Sequence, residues 1–310
     1  MRYQHEPVLL EAVVSGLNPQ PGQHFVDGTV GGGGHARAIL ERTAPNGRLV
    51  AFDRDPAALE AARENLSVFG DRVTFIHDSY SQLATYAERY QLSDLDGVLL
   101  DLGLSSAQLA DSHRGFSFNA PGPLDLRFDT THGRTAADIL QHEPADELER
   151  IFRDYAQEPQ ARALARAIVE ERRSHPILST GDLIALVTRV KHGGGRRSFH
   201  PATLVWQALR LAVNHELEEL TLGLSAAVAA LRSGGRLAVI SFHSGEDRIV
   251  KDFFRRESRD CLCPPAAPTC TCGHRANVKF ITRKPVVATP VELHLNTRAR
   301  SAKLRLAQKL

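Results

Sequence analysis

The chain has 310 residues, 42% of them hydrophobic and 24% charged, with a formal net charge of +2. That composition is globular, and the length suits one large domain or a domain carrying a sizeable insertion. No apolar run nears the roughly 18–20 residues of a membrane span. The opening Met1–Glu6 lacks the charged-then-apolar layout of a secretory signal, so the expected location is the cytoplasm.

In chain order, His5 to Val14 reads as a short helix with Pro7 in its first turn. His24 to Val26 reads as a buried strand ending at Asp27. It passes into Gly28 and then Gly31 to Gly34, and an alanine-rich helix follows. Glycines at such a turn let backbone N–H groups approach a ligand closely. The frame Gly31-x-Gly33-x-x-Ala36 fits the dinucleotide fingerprint, which alone is a weak match. Asp27 beside the loop would repel a pyrophosphate but suits a cationic or amine-bearing ligand. S-adenosyl-L-methionine (SAM), with its sulfonium and α-ammonium, is one. The plain alternative is a glycine-rich surface turn.

Arg48 to Phe52 forms a second strand, closed by Asp53-Arg-Asp55, and Asp55-Pro56 supplies the N-cap and first position of a helix reaching Phe69. Asp53 lies about 20 residues beyond the glycine loop, where a carboxylate can accept both hydroxyls of a ribose. Val73 to His77 is a third strand, leading through Asp78-Ser-Tyr80 into a helix, Ser81 to Tyr90. Leu95 to Leu100 is the fourth, ending at Asp101. Asp27, Asp53 and Asp101 therefore close three strands, and in an open α/β sheet the ligand crevice lies at those carboxyl ends.

Between Ser106 and about Arg232 the pattern predicts only loop and helix. Asp111 to Thr131 is an irregular functional loop, followed by helices over Thr135 to Leu140, Ala145 to Tyr155, Pro159 to Arg173 and Leu183 to Lys191. Gly193 to Gly195 stop the last, and Pro201 opens another that reaches at least Leu220. Gly235 to His243 restores the strand pattern, and Ala276 to Thr282 with Val291 to Leu295 suggests a terminal hairpin. The expected organisation is an α/β domain over 1–106 and 233–310, with a helical, substrate-recognising insertion over 107–232.

Residues 275–310 carry nine Lys/Arg against the single acid Glu292, leaving 29 basic and 35 acidic side chains elsewhere. A second stretch, Leu183 to His215, is acid-free. Basic patches on an otherwise acidic chain suggest a polyanion such as nucleic acid, although solvated helix faces give the same counts. The four cysteines form Cys261-Leu-Cys263 and Cys270-Thr-Cys272. Zinc ligation, with His274 nearby, is weighed against reduced thiols in a Pro-rich loop; the spacing favours thiols, and no metal is expected.

Several blocks then combine. They are His5-x-Pro-Val-Leu-Leu-x-Glu, Asp27-Gly-Thr-x-Gly-x-Gly-Gly-His35, Asp53-Arg-Asp55 and Asp101-Leu-Gly-Leu-Ser-Ser-x-Gln108. Arg114-Gly-Phe-Ser-Phe118, Pro123-Leu-Asp-Leu-Arg127, His200-Pro-Ala-Thr203 and Gln207 to Asn214 continue them, with Phe242-His-Ser244, Glu246 to Lys251 and Ser301 to Arg305. Together they resemble the small-subunit ribosomal RNA methyltransferase H family, also called MraW, across essentially the whole chain. The resemblance implies a class I SAM-dependent methyltransferase fold with an inserted helical domain. It also implies action on the N4 amine of a cytidine in 16S rRNA, in the decoding region of the small subunit. By motif, the implied SAM contacts are Gly33, Gly34, His35, Asp53, Tyr80, Asp101 and Gln108. Three blocks depart from the family pattern: Gly245 stands for a leucine, Leu204 for an arginine, and Tyr155-Ala-Gln-Glu-Pro159 for Tyr-Gly-Glu-Glu. Gly245 should loosen the helix that it opens.

Methyl transfer is an in-line displacement, so alignment comes first. The cytosine amine is a poor nucleophile, and an acceptor for one of its N–H groups would help it pyramidalise and then lose a proton. Asp101, Ser105 and Ser106 are the expected acceptors by chain order, with His243 a further candidate. Each has a structural alternative: Asp101 in SAM binding alone, the serines as caps, His243 in packing. A flipped base needs an aromatic platform, for which Phe116 and Phe118 are candidates, with Arg114 and Arg127 for phosphate or base. The competing readings are an NAD-dependent oxidoreductase and a ribosome-assembly factor without turnover.

Overall fold

The computed structural model describes residues 7–117, 121–191, 200–264, 267 and 269–310. The chain divides into two compact units, Met1–Gly103 with Leu217–Leu310, and Leu104–Glu216. Phe118, Arg196, Arg197, the Gly193 to Gly195 stop and His5 lie outside the described residues.

The first unit opens with the expected alternation: α1 (Leu10–Leu17), β1 (His24–Asp27), α2 (Gly34–Arg42), β2 (Arg48–Asp53), α3 (Pro56–Asn65), β3 (Val73–His77), α4 (Leu83–Tyr90) and β4 (Leu95–Asp101). The four strands pair in parallel in the order β3-β2-β1-β4. Their near-continuous apolar runs follow from burial on both faces of a parallel sheet. Gly97 on β4 lets the Phe25 ring lie against the backbone, since a Cβ there would fall 2.4 Å from it. Asp55 caps α3 by accepting the Ala57 N–H at 3.0 Å. The first helix corrects the sequence expectation, because Pro7 precedes it. Leu9 sits in the left-handed region (φ 54°), and its N–H donates to Glu292 Oε1 at 2.6 Å, so a distant residue sets the chain's entry.

The second unit is helical: α5 (Ser106–Ala110), α6 (Ala136–His142), α7 (Ala145–Arg150, running on through a wide turn at Ile151–Tyr155), α8 (Ala161–Glu171), α9 (Thr180–Val190) and α10 (Thr203–Asn214). Its core gathers Leu140, Leu148, Phe152, Leu164, Ile168, Leu183, Val187, Val205 and Leu209 from these helices. Ser179 and Asp182 make the expected capping box at α9. Pro159 lies in the turn before α8 and does not open it, because the preceding Glu158 is turned inward. Its carboxylate meets the Lys191 ammonium at 2.5 Å, with both side chains buried, and accepts the Gln160 N–H at 3.1 Å.

The chain then returns to the first unit with α11 (Glu216–Ala230), β5 (Leu231–Ser241), α12 (Ser244–Glu257), β6 (Val278–Phe280), α13 (Pro290–Leu295) and β7 (Lys303–Lys309). The single helix expected from Pro201 through Leu220 is two, broken where His215 adopts φ 51°. Leu220, Leu224 and Ala227 of α11 join Phe52 and Val98 in one core cluster, so this helix packs with the sheet. The terminal hairpin is also corrected. Val291 to Leu295 is helical, and the partner of β6 is β7, antiparallel, with Val278 opposite Lys309. β7 also pairs antiparallel with β5, completing a seven-stranded sheet in the order β3-β2-β1-β4-β5-β7-β6. The last part of the basic stretch is thus built into the sheet: in β7 Leu304 and Leu306 are buried and Lys303 and Arg305 both pair with Asp247 on α12, at 3.2 and 2.7 Å, whereas Arg275, Lys279, Arg283, Lys284 and Arg300 are exposed. Burial works against ionising Asp247, but the hydrogen bonds from Arg305 and Lys303 outweigh it and hold the carboxyl below its ordinary value. Among the described residues no helix is long and apolar enough to cross a membrane.

Candidate active site

The strand order reverses between β1 and β4, and in an open α/β sheet the ligand crevice lies there, outside the carboxyl ends of the strands. Three aspartates meet at this point. Asp27 ends β1, Asp53 ends β2 and Asp101 ends β4. The glycine turn is stitched to all three. The Thr29 N–H donates to Asp27 Oδ1 at 3.1 Å, and the Gly31 N–H to Asp53 Oδ2 at 2.9 Å. Thr29 Oγ1 accepts the Asp101 N–H at 2.6 Å. Gly31 needs its φ of 51°, and Gly33, at φ 84°, stands at the N-cap of α2 with no side chain to satisfy the helix's first N–H groups. A Cβ on Gly32 would meet nothing within 4 Å, so open space lies before the turn. Gly34 is small for a different reason: a Cβ there would strike Pro7 at 2.3 Å.

The electrostatics of the three carboxyls agree in direction. Burial, with the Asp53 charge adding, raises Asp27 to about 7 against the hydrogen bonds from Thr29. Burial raises Asp53 to about 6 despite the N–H groups of Asp55 and Gly31 that it accepts. Asp101 is pushed well above the usual carboxylate range by burial and then by the charges of Asp27 and Glu246. A bound cation would relieve all three. Asp101 Oδ1 is the sharpest signal, being out of solvent and without a hydrogen-bond partner. Its other oxygen lies 3.6 Å from His35 Nδ1, while His35 Nε2 meets the Val8 carbonyl at 3.0 Å. That carbonyl can only accept, so Nε2 carries a proton.

The donor set fits a zwitterion with a sugar attached. The N–H groups at the start of α2 suit a carboxylate, the orphaned Asp101 oxygen an ammonium, and Asp53 the hydroxyls of a ribose. These are the features of SAM. In that arrangement Gly33, Gly34 and His35 supply the helix terminus. Tyr80 follows β3, with its ring packed against the backbone of Gly223 on α11, where a Cβ would fall 2.3 Å from it. His243 N-caps α12: its Nδ1 accepts the N–H groups of Gly245 and Glu246 at 3.2 and 3.4 Å, while Glu246 accepts the Phe242 N–H at 2.8 Å. The start of α12 is thus capped with Gly245 in place, and a Cβ at 245 would lie 3.1 Å from the His243 ring.

In the second unit several expected residues have structural partners. Ser105 and Gln108 form a reciprocal capping box at α5, with Ser105 Oγ accepting the Gln108 N–H at 3.1 Å and Gln108 Oε1 accepting the Ser105 N–H at 2.9 Å. Ser106, the first residue of α5, is buried. Phe116 is a correction: only 4% exposed, it stacks on Phe128 at 5.7 Å in the unit's core, so it offers a base no platform. Arg114 is buried and donates to the carbonyls of Arg127 and Phe128. Arg127 makes a two-point pair with Asp125 at 2.8 and 2.7 Å. Both arginines thus brace the irregular loop rather than offering free charge. Trp206 and Asn214 complete that brace, through Trp206 Nε1 to the Gly115 carbonyl at 2.9 Å and Asn214 Nδ2 to the Leu126 carbonyl at 2.7 Å. The motif blocks include Thr29 and Asn214 without revealing these roles, and Trp206 carries no motif signal; the Thr29 hydroxyl ties the turn to Asp101.

Residues 2–310 match the family described as the MraW methylase family. The chain is 52% identical to the ribosomal RNA small subunit methyltransferase H of Thermomicrobium roseum, over 99% of this chain and 94% of that one. It is 50% identical to the protein of the same name from Syntrophotalea carbinolica, over 99% and 98%. Among solved structures, an rRNA methylase from Streptococcus thermophilus aligns with 12% identity and a TM-score of 0.42, over 95% of this chain and 91% of that one.

Proposed function

The chain belongs to the MraW methylase family, and from that membership we propose that it methylates the exocyclic N4 amine of a cytidine in the decoding region of 16S rRNA. It is a SAM-dependent methyltransferase with the expected α/β, class I fold. The relatives named for small-subunit rRNA support the substrate class, and the expected setting is the small ribosomal subunit in the cytoplasm. The observation that carries the reading is the buried, unpartnered oxygen of Asp101 beside the glycine turn.

SAM, when bound, supplies an electrophilic methyl group on a sulfonium centre. The protein's own part is to hold and align. Asp53 fixes the ribose and at the same time pins the turn through Gly31. The first N–H groups of α2 and the Asp101 carboxyl grip the two ends of the amino-acid group. Of the acceptors expected for the cytidine N–H, Ser105 and the Nδ1 of His243 already serve as caps, and the unpartnered Asp101 oxygen is assigned to the SAM ammonium. The helical unit is assigned to rRNA recognition, with contacts other than Phe116 and the braced arginines.

The test is incubation with isotopically labelled SAM and small subunits lacking the modification, followed by nucleoside analysis. N4-methylcytidine at one decoding-region position is the expected product. Label in any other nucleoside, or none where a relative succeeds, overturns the assignment. Calorimetry with SAM and with NAD separately checks the cofactor.

A further inference from the structure

The four cysteines lie apart from the cofactor turn, on the connection between α12 and β6. Cys261, Cys270 and Cys272 are exposed and Cys263 is half-buried, so hydrophobic burial does not account for their convergence. Yet all four Sγ atoms lie within 4.8 Å of one another. Cys261 and Cys270 are 3.4 Å apart, Cys270 and Cys272 3.6 Å, and Cys272 and Cys261 3.8 Å. Disulfide sulfurs stand about 2.05 Å apart, so these are not bonded pairs. A tetrahedron with metal–sulfur bonds of about 2.3 Å has edges of about 3.8 Å, close to the three spacings among Cys261, Cys270 and Cys272.

The surroundings suit thiolates. Backbone N–H groups point at sulfur: Leu262 to Cys272 at 3.3 Å, Cys263 to Cys261 at 3.4 Å and Thr271 to Cys263 at 3.4 Å. Such donors disperse the negative charge that a tetrathiolate site carries. His274 is not part of the set, since its Nε2 meets the Arg256 carbonyl at 3.1 Å. The loop's base is pinned independently, through the Asn277 N–H to the Glu257 carbonyl at 2.8 Å. Reduced thiols in a Pro-rich loop, the reading that spacing alone favours, explain neither the four-fold convergence nor the N–H groups aimed at sulfur.

We propose that Cys261, Cys263, Cys270 and Cys272 bind one zinc ion as a closed tetrathiolate site that clasps this connection. Four protein ligands leave no open position, so the ion is structural. Binding releases the protons of those cysteines that are still thiols to solvent, and no electron is transferred. The 14 residues of α12 extend about 21 Å, which separates the clasp from the His243 end of that helix.

The experiment uses the full chain, purified without chelator and then exchanged with cobalt(II). The expected results are close to one zinc per chain by mass spectrometry of the metal and, on exchange, the intense red-region absorption of tetrahedral cobalt tetrathiolate. The Cys261→Ser/Cys272→Ser variant should lose both while its SAM affinity stays within about two-fold. Four thiols that react freely with an aromatic disulfide in the presence of stoichiometric zinc would overturn the proposal. So would an octahedral cobalt spectrum, or disulfides in the intact mass. The wild-type spectrum decides even where the variant fails to fold, and it does not depend on methyl transfer.

Discussion

At the scale of single residues, Asp101 and Asp27 are the most exposed to test. Asp101→Asn keeps shape and removes charge. Losing a hydrogen bond to a charged group costs about 1.5–3 kcal/mol, so SAM affinity should fall roughly 10- to 150-fold by calorimetry. An unchanged affinity would remove Asp101 from the ammonium site. Asp27 makes a prediction about pH. Folded, it holds its proton up to about 7, against an ordinary value of 3.8. The native chain therefore binds more protons than the unfolded one between those values, and this contribution to stability declines as pH rises through that window. Asp27→Asn should gain on the ligand-free wild type steadily from pH 4 to 7 in urea denaturation, with no further gain above. A constant difference would mean that Asp27 is ionised throughout. These carboxyls were legible in the sequence because each follows an apolar strand and precedes a turn. Their protonation was not, because it depends on how tightly the neighbouring strands and Glu246 enclose them.

Among the elements, α8 and α9 are tied by the Glu158–Lys191 pair, where Lys191 Nζ also donates to the Pro201 carbonyl at 2.6 Å. Lys191→Met strands a buried carboxylate and should cost about 3–5 kcal/mol in chemical denaturation. Adding Glu158→Gln should recover much of that, since the uncompensated charge is what destabilises. If the single and double variants are equally destabilised, the pair is not the cause. Most elements could be read directly from the chain. β1 to β4 and the α9 capping box depend on local periodicity and local caps, so a short window suffices. β7 and α13 could not. Lys-Leu-Arg-Leu alternates as a strand should, yet its charges looked like a solvated tail until Asp247 was brought to them from α12. The break at His215 is equally hidden, because a left-handed histidine carries no glycine to announce it.

For the whole molecule, the division into two units predicts a divided response to ligand. SAM at about 100 times its dissociation constant should stabilise the protein by about 2.7 kcal/mol. Hydrogen-exchange protection should concentrate in Thr29 to Gly34, Asp53 to Asp55 and Asp101 to Gly103. Ala136 to Val190, which has its own core, should change little. Uniform protection would mean that the units are ordered together by the ligand. The sequence by itself determined the α/β class, the glycine turn, the three strand-ending aspartates, the helical insertion and the family. These rest on periodicity, turn chemistry and ordered motifs, all carried by neighbours in the chain. Only the tertiary structure decided that α11 packs with the sheet, that Phe116 is core, that Arg114 and Arg127 are braces, and that the basic end of the chain is a strand. It also brought the sulfurs of four cysteines within 4.8 Å of one another. The physical reason is common to all of these: a side chain's charge and polarity are local, but whether they are spent internally depends on partners tens to hundreds of residues away.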